Sequence, residues 1–259
     1  MGKNRALLGV LVGAALLSPT TAMAADGPVF TVFGGVDTSV SGEVHTGAIA
    51  PVGDLGPLNP ALAGVAAELR IESRDYDDIY GNGKTLGVGM AWAMGGGELF
   101  GNVRTTRASG SQVQVGGAFV PALNTTLPVF GRFGDYDAMA VEAGYRQYFG
   151  SGKARPYLAG RIGATRVDAI DATFTIPDAG IALNNVAFYD GGWTMGVGVD
   201  AGVDWQVSDA VSLGLQVGVE HLGDLSDDDS AIGGLGLGSI NDTGSRTSYP
   251  VNLVLRARF

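Results

Sequence analysis

The chain ends Val251-Asn252-Leu253-Val254-Leu255-Arg256-Ala257-Arg258-Phe259, and the parity of this stretch decides the fold. On an extended strand Val251, Leu253, Leu255, Ala257 and Phe259 share one face, while Asn252, Val254, Arg256 and Arg258 share the other. A strand with lipid on one side and a wet, charged lumen on the other requires this division. A soluble sandwich strand also alternates, but it seldom closes on an aromatic with two arginines opposite an apolar row.

Working back from that end, seven further segments show the same period. Strand one covers roughly 29–40, with Phe30, Val32 and Val36 outward. Strand two covers 84–94, with Leu86, Val88, Met90, Trp92 and Met94 on one face and small residues on the other. Strand three covers 98–108, strand four 136–149, strand five 155–167, strand six 193–207 and strand seven 211–222. Three connections are short and built from Gly, Ser, Asp and Lys; the other four (41–83, 109–134, 168–191 and 223–247) are long. Short turns on one side and long loops on the other describe an up-and-down transmembrane barrel. The expected fold is therefore all-β, an antiparallel transmembrane β-barrel of eight strands. A ten-stranded barrel is the alternative, should strand two begin near Leu69 and release another hairpin.

Strand six tests membrane embedding most sharply. Trp193, Met195, Val197, Val199, Ala201, Val203, Trp205 and Val207 point one way; Thr194, Gly196, Gly198, Asp200, Gly202, Asp204 and Gln206 point the other. The two tryptophans lie about 40 Å apart along a strand at roughly 3.3 Å per residue. With a tilt of about 40° they span about 30 Å of membrane normal, close to the ~25 Å apolar band between aromatic girdles. Trp92, Trp193 and Trp205 are the expected girdle residues.

The N-terminus and composition agree. Lys3 and Arg5 precede an apolar run from Ala6 to Leu17, and Ala22-Met23-Ala24 supplies a small-x-small cleavage site. Residues 1–24 thus read as a secretory signal peptide and 25–259 as the barrel domain. Loss of Lys3 and Arg5 moves the formal charge from −10 to −12. An acidic chain has no basic footprint for nucleic acid. No cysteine occurs anywhere, so a lipoprotein, a disulfide and a thiolate metal site are all excluded. The chain contains 43 Gly, which suits tightly curved strands.

The inward faces collect both signs of charge: Arg104 on strand three, Glu142 and Arg146 on strand four, Arg155 and Arg161 on strand five. Asp200 and Asp204 follow on strand six, Gln216 and Glu220 on strand seven, and Asn252, Arg256 and Arg258 on strand eight. An eight-stranded barrel is only wide enough for side chains to fill, so these charges must pair, because an isolated buried ion costs several kcal/mol. A packed interior is the leading reading, with a narrow ion path as the alternative. In the long connections, Asn59 to Leu69 reads as a short helix over the barrel mouth. Ala172 to Pro177 and Ile181 to Phe188 read as a hairpin extending strands five and six. Two acidic groups, Asp75, Asp77 and Asp78, then Asp224, Asp227, Asp228 and Asp229, suit oxygen coordination of Ca²⁺ or Mg²⁺. They lack the glycine and spacing of an EF-hand loop, and a solvated surface repelling lipopolysaccharide is the preferred reading.

With these residues in place the chain resembles the small OmpA/OmpX/opacity-type bacterial outer-membrane β-barrels. The resemblance rests on the terminal Phe259 strand, the Arg155-Pro156-Tyr157 strand entry after a Gly-rich turn, and the alternation of turns and loops. It implies a Gram-negative outer-membrane location, outer-membrane lipid and lipopolysaccharide as surroundings, and a monomer. It also implies that periplasmic chaperones and the barrel assembly machinery handle the chain, the latter reading Phe259 as an assembly signal. The resemblance covers residues 25–259 and leaves out any peptidoglycan-binding domain. Family members include structural proteins, adhesins and a few enzymes, so membership sets the place better than the job. The leading function is structural or adhesive contact through surface loops, with a host or surface ligand there. A narrow channel and a lipid A-modifying hydrolase are the alternatives. Against the hydrolase, Val219-Glu220-His221-Leu222-Gly223 lacks the serine that such a lipid A deacylase places beside its histidine. Ser226 and Ser230 lie nearby in a loop, and the other histidine, His45, lies in the first long connection. The chain is read as a non-enzyme without a cofactor.

Overall fold

The computed structural model describes residues 27–230 and 232–258. The signal segment 1–24 and the terminal Phe259 lie outside the described residues. Eight strands close a barrel: β1 (Val29–Ser41), β2 (Gly83–Met94), β3 (Gly97–Ala108), β4 (Tyr136–Tyr148), β5 (Ala154–Val167), β6 (Gly192–Gln206), β7 (Val211–Leu222) and β8 (Arg246–Arg258). Each pairs antiparallel with its sequence neighbours, and β1 joins β8 to complete the ring. This up-and-down order is the transmembrane eight-stranded barrel that the strand alternation predicts.

The exterior of that barrel is apolar. Leu86, Val88, Val141, Ile162, Met195, Val197, Val199 and Leu253 all stand exposed, Leu253 at 71 %. Soluble monomers rarely expose so continuous an apolar surface, which marks a face that meets a membrane or a partner. Trp92 and Trp205, with Phe30, Tyr145 and Phe149, ring the end where the turns are short. Trp193 and Tyr249 stand at the opposite end. Aromatic residues at both rims of an apolar band mark the two membrane interfaces.

The long connections build a second body on the loop end. Ile181–Tyr189, Ile170–Ile176, Thr125–Phe133, Gln112–Val120, Ala67–Ile71 and Ala48–Val52 hydrogen-bond in that order into a six-stranded sheet. Its two free edges are joined by the segment 223–245. On one side Tyr189 bridges Asp227 and Asp190 donates to Ser226 O; on the other Thr46 donates to Ile240 O at 2.7 Å. The result is a closed cap whose interior holds the largest apolar cluster, including Tyr76, Tyr136, Phe133, Phe188, Tyr189 and Ile170.

Three expectations need correction. The predicted helix over 59–69 is only a 3-10 turn at Pro60–Leu62, with Asn59 as its cap. Gly64, at φ +77, ends it, and Ala67–Ile71 is a strand whose Ala67 and Leu69 are buried while Arg70 is exposed. That period-two signal was present and outweighs the helix former composition. The connection 109–134 is no open loop but the hairpin Gln112–Val120/Thr125–Phe133. Strand eight begins at Arg246, ahead of the alternation that revealed it: Arg246, Ser248 and Pro250 face the lumen, and Thr247 stands in the outward row before Tyr249 and Val251. The extra strands that a ten-stranded barrel would need belong to the cap sheet. The predicted hairpin in the third connection is present, as Ile170–Ile176 and Ile181–Tyr189.

Candidate functional site

The barrel interior is the first candidate, and alternation places its residues. Along β3 and β4 every second side chain points inward, and the same holds on β6 to β8, so charges from distant sequence positions meet in tiers. In the middle tier Arg104 on β3 bonds Glu142 on β4 at 3.0 Å and also Glu220 on β7. Arg161 on β5 bonds Asp200 on β6 at 3.0 Å, Glu220 at 3.3 Å, and Glu142. At the turn end Arg256 on β8 bonds Asp204 at 2.6 Å and Glu98, while Arg146 lies 3.6 Å from Glu98. Tyr148 donates to Asp204 at 2.6 Å. At the loop end Arg246 bonds Asp37 at 3.0 Å and lies over the Tyr136 ring at 4.7 Å.

Glu98, Asp37, Arg246 and Tyr148 were not among the residues singled out from sequence. Glu98 shares parity with Arg104, and Asp37 with Thr31 and Phe33, so parity was the available signal. Arg246 lay beyond the recognised start of strand eight. Arg155 stacks on Tyr148 at 4.6 Å. Arg258 lines the turn-end mouth with Val29, Glu98, Arg155 and Arg256. Gln216 receives the Tyr157 hydroxyl at 3.2 Å.

Glycines make this packing possible. A Cβ on Gly202 would fall 2.4 Å from the Tyr157 ring, and one on Gly198 would fall 2.9 Å from the Arg161 guanidinium. The space between the tiers is small. A cavity of about 20 Å³ lies among Thr31, Asn102, Arg104, Glu142 and Asn252, room for about one water. Asp200, Asp204, Glu220 and Arg256 are at most 2 % exposed. Such an interior locks register and leaves no wide conduit. Removing one partner of a buried pair is strongly destabilising.

The fold is a closed eight-stranded antiparallel barrel with an apolar exterior and a charged interior. Among solved structures, this chain is similar to Neisserial surface protein A (TM-score 0.44, 13 % identity, 90 % of this chain and 100 % of that one). It is also similar to the outer membrane protein OprG from Pseudomonas aeruginosa (0.34, 14 %, 92 % and 99 %) and to the outer membrane protease OmpT from Escherichia coli (0.38, 7 %, 93 % and 99 %). No protein-family model matches the chain, nor does any curated protein. The barrel rests on the strand pairing itself, which closes β1 on β8.

The cap holds the second candidate. His45, expected merely within a long connection, is 1 % exposed. Its ring stacks on Phe133 at 5.8 Å and meets Phe188 edge-on at 6.2 Å. Burial holds its pKa down to about 4, against a weaker upward pull from the Thr46 carbonyl. His221 sits at the rim with Nδ1 2.9 Å from the Thr247 hydroxyl. Ser226 is tied by its carbonyl to Asp190, and the Ser230 amide donates to Asp228 at 2.8 Å. Asp75 caps the short helix Tyr76–Ile79 in a capping box with Asp78, and Asp77 lies in its first turn. Carboxylate oxygens of Asp227, Asp229 and Asp242 lie within 4.8 Å of one another; Asp228 turns to Ser230, and Asp224 is exposed.

Proposed function

We propose that this protein is an integral outer-membrane barrel of a bacterial envelope, with a sealed barrel as its anchor and surface contact through its cap as its output. The ionic packing of the lumen carries the reading. Arg104, Arg161, Glu142, Asp200 and Glu220 fill the section that a solute would have to cross, and the cap closes the loop end above them. A non-enzymatic role fits the hydrogen bond of His221, which goes to Thr247. Exposed Ile49 and Leu123 on the cap, each 69 % exposed, offer apolar contact points for a surface or a second cell.

Phosphorylated lipid headgroups are the proposed surroundings of the rim. Lys84 faces Arg107 across β2 and β3, and Arg166 on β5 pairs with the girdle residue Trp193. These cations line a groove on the exterior with Leu86 and Met139 below them. Folded, refolded barrel in a planar bilayer should be electrically silent. Steady openings altered by Arg161→Gln or Glu220→Gln would replace the anchor reading with a channel. Cells displaying the full chain should aggregate more than cells displaying Ile49→Asp/Leu123→Asp; equal aggregation would remove these residues as the contact.

A further inference from the structure

The lumen opens at its turn end into a cavity of about 80 Å³ with a mostly polar lining, and nothing in the anchor-and-contact reading uses it. Charge is shared unevenly between the tiers. In the middle tier Glu142, Asp200 and Glu220 outnumber Arg104 and Arg161. In the tier at this mouth the balance reverses, and Arg146, Arg155 and Arg256 outnumber Glu98 and Asp204.

Arg155 is the cation left over. In the β5–β6 register it lies directly across from Asp204, but that carboxylate is taken by Arg256 at 2.6 Å and by the Tyr148 hydroxyl at 2.6 Å. Among the described residues Arg155 pairs with no carboxylate; its guanidinium lies over the Tyr148 ring at 4.6 Å. Of its three nitrogens only Nε is both shut off from solvent and without a hydrogen-bond partner. The two terminal nitrogens bond nothing either, so they keep accessible surface, and the residue lines the mouth cavity. Stacking on the ring fixes the plane of this fork.

Further donors surround it. Gln206, Ser212 and Arg256 are neighbours in register across β6, β7 and β8, and all three line the cavity with Arg155 and Ser208. Ser208 Oγ accepts the Val211 amide at 3.1 Å, which leaves its hydroxyl proton to be donated. A guanidinium fork meets the oxygens of a phosphoryl group two at a time.

From these observations we infer that the turn-end mouth is a binding site for one phosphoryl oxyanion, held by the Arg155 fork and by the Ser208 and Ser212 hydroxyls. The cavity has room for several waters, which the anion displaces. Glu98, on the same wall, is already engaged by Arg256. Asp209 also lines the lip and opposes the ligand, but it is exposed and its charge is screened by solvent, whereas Arg155 is half-buried and is screened less. The cap closes the opposite end of the barrel, so this inference is independent of what the cap touches.

The test uses the full barrel in phosphatidylcholine nanodiscs, titrated with inorganic phosphate at constant ionic strength and followed by backbone amide shifts. The amides of Gln206 to Ser212 should move in a saturable way, and chloride at the same ionic strength should not move them. Arg155→Gln should weaken phosphate binding by about tenfold or more, the scale of one charge-assisted hydrogen bond. The double change Ser208→Ala/Ser212→Ala lies outside every ion pair; it should give a comparable loss and serves if Arg155→Gln does not fold. Lys153→Gln removes the same charge from the neighbouring turn, where Lys153 is exposed and outside the cavity lining, and should change affinity by less than about twofold. Asp209→Asn should tighten binding. Glycerol 3-phosphate separates the sources: affinity equal to that of inorganic phosphate assigns the group to an ester, and weaker binding assigns it to the free ion, with the site sustained in both cases. Equal losses in Lys153→Gln and Arg155→Gln would overturn the inference by showing only a diffuse positive field. So would shifts that fail to saturate or that chloride reproduces.

Discussion

The barrel and the cap are the same kind of structure turned inside out. In the barrel, Leu86, Ile162 and Leu253 face outward while Glu220, Asp200 and Arg256 are buried. In the cap, Val115, Phe188 and Ile170 are buried, while Arg70 and Glu68 pair on the exterior. Both are antiparallel sheets with period-two side chains, and the chain passes from one to the other within continuous hairpins. The difference lies in the solvent. Lipid rewards an apolar exterior and offers nothing to a buried charge, so the barrel satisfies its interior with ion pairs. Water rewards the opposite arrangement, so the cap is held by apolar burial.

The contrast predicts two different ways to fail. Glu220→Leu strips Arg104 and Arg161 of a shared partner and should cost about 3–5 kcal/mol. Denaturant unfolding in lipid vesicles, followed by loss of the compact barrel on unheated gels, should show it, and an unchanged midpoint would break the view that ion pairs hold the lumen. Phe188→Ala, in the aromatic centre of the cap, should cost a similar ~3–5 kcal/mol. Its effect should appear as faster amide exchange in the cap hairpins while the barrel remains resistant. Collapse of both regions together would show that they are one cooperative unit.

A smaller effect follows from His45. Its folded pKa of about 4 lies below the ordinary 6.5, so the unfolded cap binds more protons between these values. Cap stability should therefore be complete above pH 6.5, fall as the pH drops toward 4 and level off below, for a loss of at most roughly 3 kcal/mol. Exchange rates of cap amides across this range would measure it, and His45→Phe should flatten the profile. Gly202→Ala, which sets a methyl against Tyr157, should cost about 1–3 kcal/mol by overpacking. Arg107→Ala at the exposed rim removes a solvent-screened pair with Asp137 and should leave the unfolding midpoint unchanged. A loss there would point to bound lipid holding the arginine.

Parity made the barrel readable from the chain. Asn252, Arg256, Asp200 and Asp204 face inward because lipid cannot accept them, and that holds between the rims, where Lys84, Arg107 and Arg166 stand outside the apolar band. Cap strands were harder to see. Gln112–Val120 and Ala67–Ile71 are short, carry mixed polarity on their outer faces and lie within glycine-rich and proline-rich connections, so their periodicity is weak. Glu98 and Asp37 were open to the same parity argument that found Arg104, whereas Arg246 falls within the stretch read as the long connection 223–247.

What the sequence determined alone was the alternation, and with it a barrel with an apolar outside, a charged inside and its long connections gathered at one end. Local residue order suffices there, because a one-residue slip would put every charge in lipid. Only the tertiary structure decided which charges meet, that the segment 223–245 closes the cap, and that His45 lies buried against Phe133 and Phe188. Those contacts join residues far apart in the chain, and no local periodicity records which distant side chain fills a given space.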